Sequence, residues 1–77
     1  MPIVIAPVNV LLKITKLVLD DRTKKHMENL GITVNGSIEV VSRSGGSVIC
    51  LVKQGRLALD KNIATRILVT EAKEEIC

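Results

Sequence analysis

Residues 20–36, DDRTKKHMENLGITVNG, decide how the rest of the chain is read. This run holds the one convincing helix, and it closes on a glycine turn that feeds a β-hairpin. Asp20 or Asp21 suits the helix start, because a short carboxylate accepts hydrogen bonds from the unpaired first-turn N–H groups. Thr23, Met27 and Leu30 recur at i, i+4, i+7 and make one narrow apolar stripe, enough to seat the helix on a core. Gly31 stands where a helix ends on a left-handed residue, a conformation glycine adopts without a Cβ penalty. Everything on either side reads as strand and turn.

Upstream, residues 10–19 (VLLKITKLVL) are rich in β-formers and predict the first long strand. Leu12 and Ile14 alternate with Lys13 and Thr15, so the aliphatic pair should face the core. Leu17 breaks that alternation, which predicts a bulge near Thr15–Lys16 that returns Leu17 to the inner face. Ahead of the strand, Pro2 and Pro7 oppose helix, so residues 1–7 are expected to be extended, with Ile3 and Ala6 as inward anchors.

Downstream, Ile32 should re-enter the core, and residues 33–36 turn the chain. Residues 37–43 and 47–53 then pair across Gly45–Gly46. A two-residue Gly–Gly turn would set Arg43 opposite Val48 and place Glu39 on the same face as Val48 and Val52. A three-residue loop at residues 44–46 sets Arg43 opposite Ser47 instead and leaves Ile38, Val40, Val48, Cys50 and Val52 inward. The second register buries no charge and is the one expected. It puts Val41, Ile49 and Leu51 together on the outer face as a contact surface. A short strand at 56–59, a helical turn at 60–65 with Ala64 inward and a closing strand at 66–69 complete the pattern. About five short strands in so small a chain suggest a partly open barrel, since curling the sheet hides strand edges. A domain over residues 1–70 is expected, followed by a charged tail over 71–77.

With 77 residues, the core must be built without a single Phe, Tyr or Trp. Stacking platforms for bases are therefore missing, and a net charge of +3 with interspersed signs is well short of a nucleic-acid footprint. Cys50 and Cys77 are too few for a disulfide framework, so a reduced, cytoplasmic protein is the expectation. The opening MPIVIAPV lacks a basic segment and is broken by prolines, which speaks against a signal peptide. No apolar run is long enough to cross a bilayer.

The order of several short pieces carries a family resemblance: MPIVIAPV at 1–8, HMENLGI at 26–32, IEVV at 38–41, RLALD at 56–60 and IATRILV at 63–69. In this order and spacing the chain resembles the ferrous iron transport protein A (FeoA) family. Members usually carry Gly where Asn9 stands and Pro–Gly where Val34–Asn35 stands. Asn tolerates the left-handed backbone, so the turns are expected to survive these departures. The resemblance implies a mainly β fold, a small SH3-like β-barrel of about five strands with one helix inserted after the first long strand. It further implies a small accessory of FeoB, the membrane GTPase that imports ferrous iron, acting by binding it. A similar barrel forms a regulatory domain of metal-dependent repressors, so fold alone does not decide between the two.

No nucleophile–base pairing or Gly-rich phosphate loop is suggested by spacing, and no enzyme activity or cofactor is expected. His26 and Cys77 are the candidate metal ligands, the weak transition-metal alternative, but they lack the close spacing of a metal motif. Arg22, Lys25, His26 and Asn29 share one helical face, opposite Met27 and Leu30. An ordinary solvated face accounts for this stripe; a docking surface for an acidic region of the transporter is the functional reading. Self-association through Val41, Ile49 and Leu51 is the remaining partner expectation.

Overall fold

A computed structural model describes residues 1–53 and 55–72. Five strands, β1 (Leu11–Leu17), β2 (Ser37–Ser44), β3 (Ser47–Val52), β4 (Gly55–Leu59) and β5 (Ile67–Glu71), form one antiparallel sheet in the order β4-β3-β2-β1-β5. Helix α1 (Asp21–Asn29) is inserted after β1, and a single turn, α2 (Lys61–Ala64), links β4 to β5. The sheet curls around an aliphatic core in which Ile3, Leu12, Ile14, Ile32, Ile38, Val40, Val48, Cys50, Ile67 and Val69 are fully buried. This is the mainly β small barrel expected from the sequence, closed over branched aliphatics in place of aromatic rings.

The helix forms as its end signals predict. Asp20 is the N-cap, its carboxylate accepting from the Thr23 N–H at 2.7 Å. Met27 and Leu30 pack on the core. Gly31 takes φ +97°, and the Ile32 N–H bonds back to the Met27 carbonyl at 2.9 Å, satisfying the helix end. Asn9 and Asn35 both adopt the left-handed region, at φ 60° and 70°, where the family pattern has glycine. The turn at 33–36 is stitched to β1 from both sides: Asn35 N–H donates to the Ile14 carbonyl and Ile14 N–H to the Gly36 carbonyl.

Along β1, the pairing with β5 shifts between Ile14 and Lys16, so the expected bulge is present and Leu17 is buried. Residues 1–7 depart from the expected extended run. Ile3–Ile5 makes one 3₁₀ turn, with the Ile5 N–H on the Pro2 carbonyl and the Ala6 N–H on the Ile3 carbonyl. Pro2 and Ala6, the flanking residues, are extended, Ala6 because Pro7 follows it. The turn drops Ile3 and Ala6 into the core. Met1 meanwhile exchanges two hydrogen bonds with Val69, covering the free edge of β5.

The hairpin corrects the sequence reading. Arg43 pairs with Val48 and Ser44 with Ser47, so the loop is the two-residue Gly45–Gly46 turn, both residues at positive φ (58° and 89°). The three-residue loop expected from the sequence keeps charge out of the core. The chain solves that problem differently. The register shifts between Val40 and Ser42, leaving Val41 as an extra residue in β2. Beyond that bulge, Val40 pairs with Cys50 and Glu39 with Leu51, so Ile38 and Val40 still point inward and Glu39 points out. Arg43 stays on the rung of buried Val48, but at the barrel's rim. There its Nη1 donates to the carbonyls of Val4 (3.1 Å) and Ala6 (2.7 Å). The guanidinium is hydrogen-bonded at the mouth, and it ties the N-terminal segment to the hairpin.

Candidate functional site

On α1 the positions i, i+3, i+4, i+7 bring Arg22, Lys25, His26 and Asn29 to one exposed stripe, the side opposite buried Met27. The N-cap carboxylate of Asp20 is held below the usual range by hydrogen bonding from Thr23, side chain and backbone, and so is fully ionised at neutral pH. A cleft of about 340 Å³ lies beside it, between the start of α1 and α2, with Thr23, Asn62 and Arg66 in its walls. Because Asp20 already serves as cap, that cleft offers no uncommitted acid.

The second surface is the outer side of the curled sheet. Ile49 and Leu51 alternate with buried Val48, Cys50 and Val52, and are 41% and 43% exposed. Val41, expected beside them, is half-buried in the bulge and has no ladder partner, so it does not extend their row. The row runs the other way. Leu11 pairs with Glu39, Glu39 with Leu51 and Leu51 with Arg56, one rung crossing four strands. Leu11 is 47% exposed. The sequence reading did not single out Leu11; strand alternation sets it opposite to buried Leu12, and the pairing of β1 with β2 and of β2 with β3 shows that it shares a rung with Leu51.

Cys50 is free and buried, its Sγ–H donating to the Leu57 carbonyl at 3.4 Å. Burial pushes its thiol up to about 11, so it is protonated and unavailable as a thiolate ligand at neutral pH. His26 is exposed near the end of α1; Cys77, its suggested companion, lies outside the described residues. Among the described residues no group of three His, Cys, Asp or Glu side chains comes together as a metal site. Nor, among them, is any helix long and apolar enough to cross a membrane.

The FeoA domain profile matches residues 1–71. The chain belongs to the FeoA domain family. None of the curated proteins matches it, but solved structures of the same family do. The iron(II) transport protein A of Clostridium thermocellum superimposes with a TM-score of 0.84 at 20% identity, covering 92% of this chain and 45% of that one. The present chain thus spans about half the length of that relative. The FeoA protein of Chlorobium tepidum gives 0.82 at 15% identity, over 97% and 74% of the two chains. A crystal structure of an iron uptake regulatory protein (FeoA) gives 0.80 at 21% identity, over 94% and 96%. At such identities the likeness speaks for the SH3-like fold of the family, and the function is argued separately below.

Proposed function

We propose that this FeoA-family chain is a cytoplasmic accessory of ferrous iron uptake that works as a docking module, binding and regulating a FeoB-type membrane GTPase. The family match over residues 1–71 carries the reading. Relatives with this fold bear the names iron(II) transport protein A and iron uptake regulatory protein. Two surface features suit a module that acts by contact: the stripe of Arg22, Lys25, His26 and Asn29, and the outward Ile49 and Leu51. The first would meet acidic side chains on the GTPase region, the second an apolar patch.

The deciding experiment is a pull-down of the transporter's cytosolic region by this protein, with and without guanine nucleotide. Binding in at least one nucleotide state is expected. It should weaken with Arg22→Glu/Lys25→Glu if the helix docks, and with Ile49→Thr/Leu51→Lys if the sheet docks. Absence of binding in every nucleotide state, with normal ferrous iron uptake after deletion of the gene, would overturn the proposal.

A further inference from the structure

The charges around the Leu11–Glu39–Leu51–Arg56 rung are not mixed evenly. Lys13 stands two residues from Leu11 on the same side of β1, and Lys53 two residues beyond Leu51. With Arg56 they make three exposed cations around one carboxylate, Glu39. Glu39 is half-buried between Leu11 and Leu51, in a groove of about 180 Å³ whose wall Lys53 completes. One rung away, Ile49 lies between Ser42 and Ala58, prolonging the apolar strip along β3.

We infer that this face receives an extended acidic segment of a partner protein, with an aliphatic side chain seated between Leu11 and Leu51. The two leucines are two strand spacings apart, roughly 10 Å, and the groove has the volume for one branched or linear aliphatic side chain. Carboxylates flanking that anchor would meet Lys13, Lys53 and Arg56. Glu39 accepts a backbone N–H of the bound segment, the one polar group a peptide always brings. That carboxylate, set between two leucines, also disfavours a phosphate chain, which would meet repulsion at the centre of the groove. The inference rests on the docking role proposed above and supplies its chemistry: the sheet face, not the helix stripe, reads the partner.

Three fluorescein-labelled seven-residue peptides test it without the transporter. One has a leucine–serine–leucine centre flanked by glutamates; the second has lysines in place of the glutamates; the third has serines in place of the leucines. The glutamate–leucine peptide should bind at least tenfold more tightly than either control and shift the NMR signals of Leu11, Glu39, Leu51 and Lys53. Lys53→Glu/Arg56→Glu, a surface variant that leaves the core alone, should reverse the preference toward the lysine peptide. Leu51→Ser should lose at least tenfold, its fold being checked by signal dispersion.

Equal binding of the lysine or serine peptide would overturn the inference. So would shifts confined to Arg22 and Lys25, or no binding at millimolar peptide. Sedimentation showing a dimer that Leu51→Ser dissociates would assign the face to a second copy instead. Peptide binding that appears only when the chain is cut after Ala72 would assign it to this chain's own following residues. A pull-down that succeeds and is unaffected by Lys53→Glu/Arg56→Glu would keep the docking role and remove this face from it. Peptide selectivity with a failed pull-down would do the reverse.

Discussion

Replacing Arg43 by Met tests the finding that most changes the reading of the hairpin. The side chain reaches from β2 to the carbonyls of Val4 and Ala6, and its loss leaves two acceptors of the N-terminal segment without their donor. A hydrogen bond from a charged donor contributes roughly 1.5–3 kcal/mol when well shielded and nearer 0.5–1.5 kcal/mol where water competes. One bond here is exposed and the other partly buried, so the lower range applies to the first and the middle to the second. Their sum is about 2 kcal/mol. For a domain of this length such a loss lowers Tm by roughly 8–16 °C. Met keeps most of the aliphatic stem, so lost packing adds little.

Two assays separate this from a general weakening. Urea unfolding should give a lower midpoint with an unchanged slope, as expected when stability falls but the surface exposed on unfolding does not. Amide exchange should accelerate first at Ile5 and Ala6, whose N–H groups close the 3₁₀ turn on Pro2 and Ile3. Arg43→Lys should recover only part of the loss, because one ammonium on a flexible stem does not span both carbonyls as well as the planar fork. A Met variant within about 0.3 kcal/mol of the parent, with exchange at Ile5 and Ala6 unchanged, would show that the rim contact does not hold the segment.

Four further outcomes are expected. Gly36→Ala should cost on the order of 1–3 kcal/mol in chemical denaturation, since a Cβ there would lie 2.8 Å from the Thr33 Oγ1 and 2.9 Å from its carbonyl oxygen. Asn35→Gly, at φ 70°, should be neutral or stabilising. In a Cys77→Ser background, Cys50 should resist thiol reagents at pH 8. Its raised value means that native stability is unaffected by this group below pH 9 and falls as the pH climbs from 9.0 toward about 11; Cys50→Ala should flatten that decline. Asp20→Ala should raise amide exchange in the first turn of α1 while Asp20→Asn largely preserves the protection, and the lowered value of Asp20 means its contribution fades as pH falls below the ordinary carboxylate range, seen as a smaller protection factor there relative to the intrinsic rate at each pH.

Much of this architecture was legible because it is local. Asp20, Gly31 and the alternation of Leu12 and Ile14 declare their conformations within a few residues of themselves. The β1 bulge was legible too, because Leu17 is out of phase with Ile14 and a lone aliphatic residue at a strand end has to go somewhere. The β2 bulge was not. Val40–Val41 offers two similar residues, either of which can point inward, so the hydrophobic pattern is the same with an extra residue in the loop or in the strand. What separates them is a contact distant in sequence, Arg43 on the carbonyls of Val4 and Ala6, and a single sequence holds no sign of that approach. The candidate docking row was hidden for the same reason. Ile49 and Leu51 could be placed outward from β3 alone, whereas Leu11 and Arg56 join them only through strand pairings across the sheet.

The extra residue in β2 connects the two surfaces of the barrel. With Gly45–Gly46 fixing the turn, an unbulged β2 would set Val40 opposite Leu51 and turn Glu39 toward Val52, inside the barrel. A carboxylate there would need a partner that an all-aliphatic core does not supply. Val41 absorbs one position, so the same strand presents Arg43 to the rim and Glu39 to the outer groove. The rim charge is used internally, holding the N-terminal turn. The groove charge lies between Leu11 and Leu51, two half-exposed leucines that the barrel's own packing does not cover. Leaving such residues exposed carries a cost in water, at ~25 cal/mol per Å² of apolar surface, that burial against a partner would recover in part. The other outward positions of β1 and β2 include Lys13, Thr15, Lys16, Ser37 and Ser42, so on these two strands Leu11 is the exposed aliphatic side chain, and it stands beside Leu51. The meeting of Leu11, Leu51 and Ile49 on one side of the sheet, with cations near them, is what argues for a face shaped to be covered, more than any single leucine does.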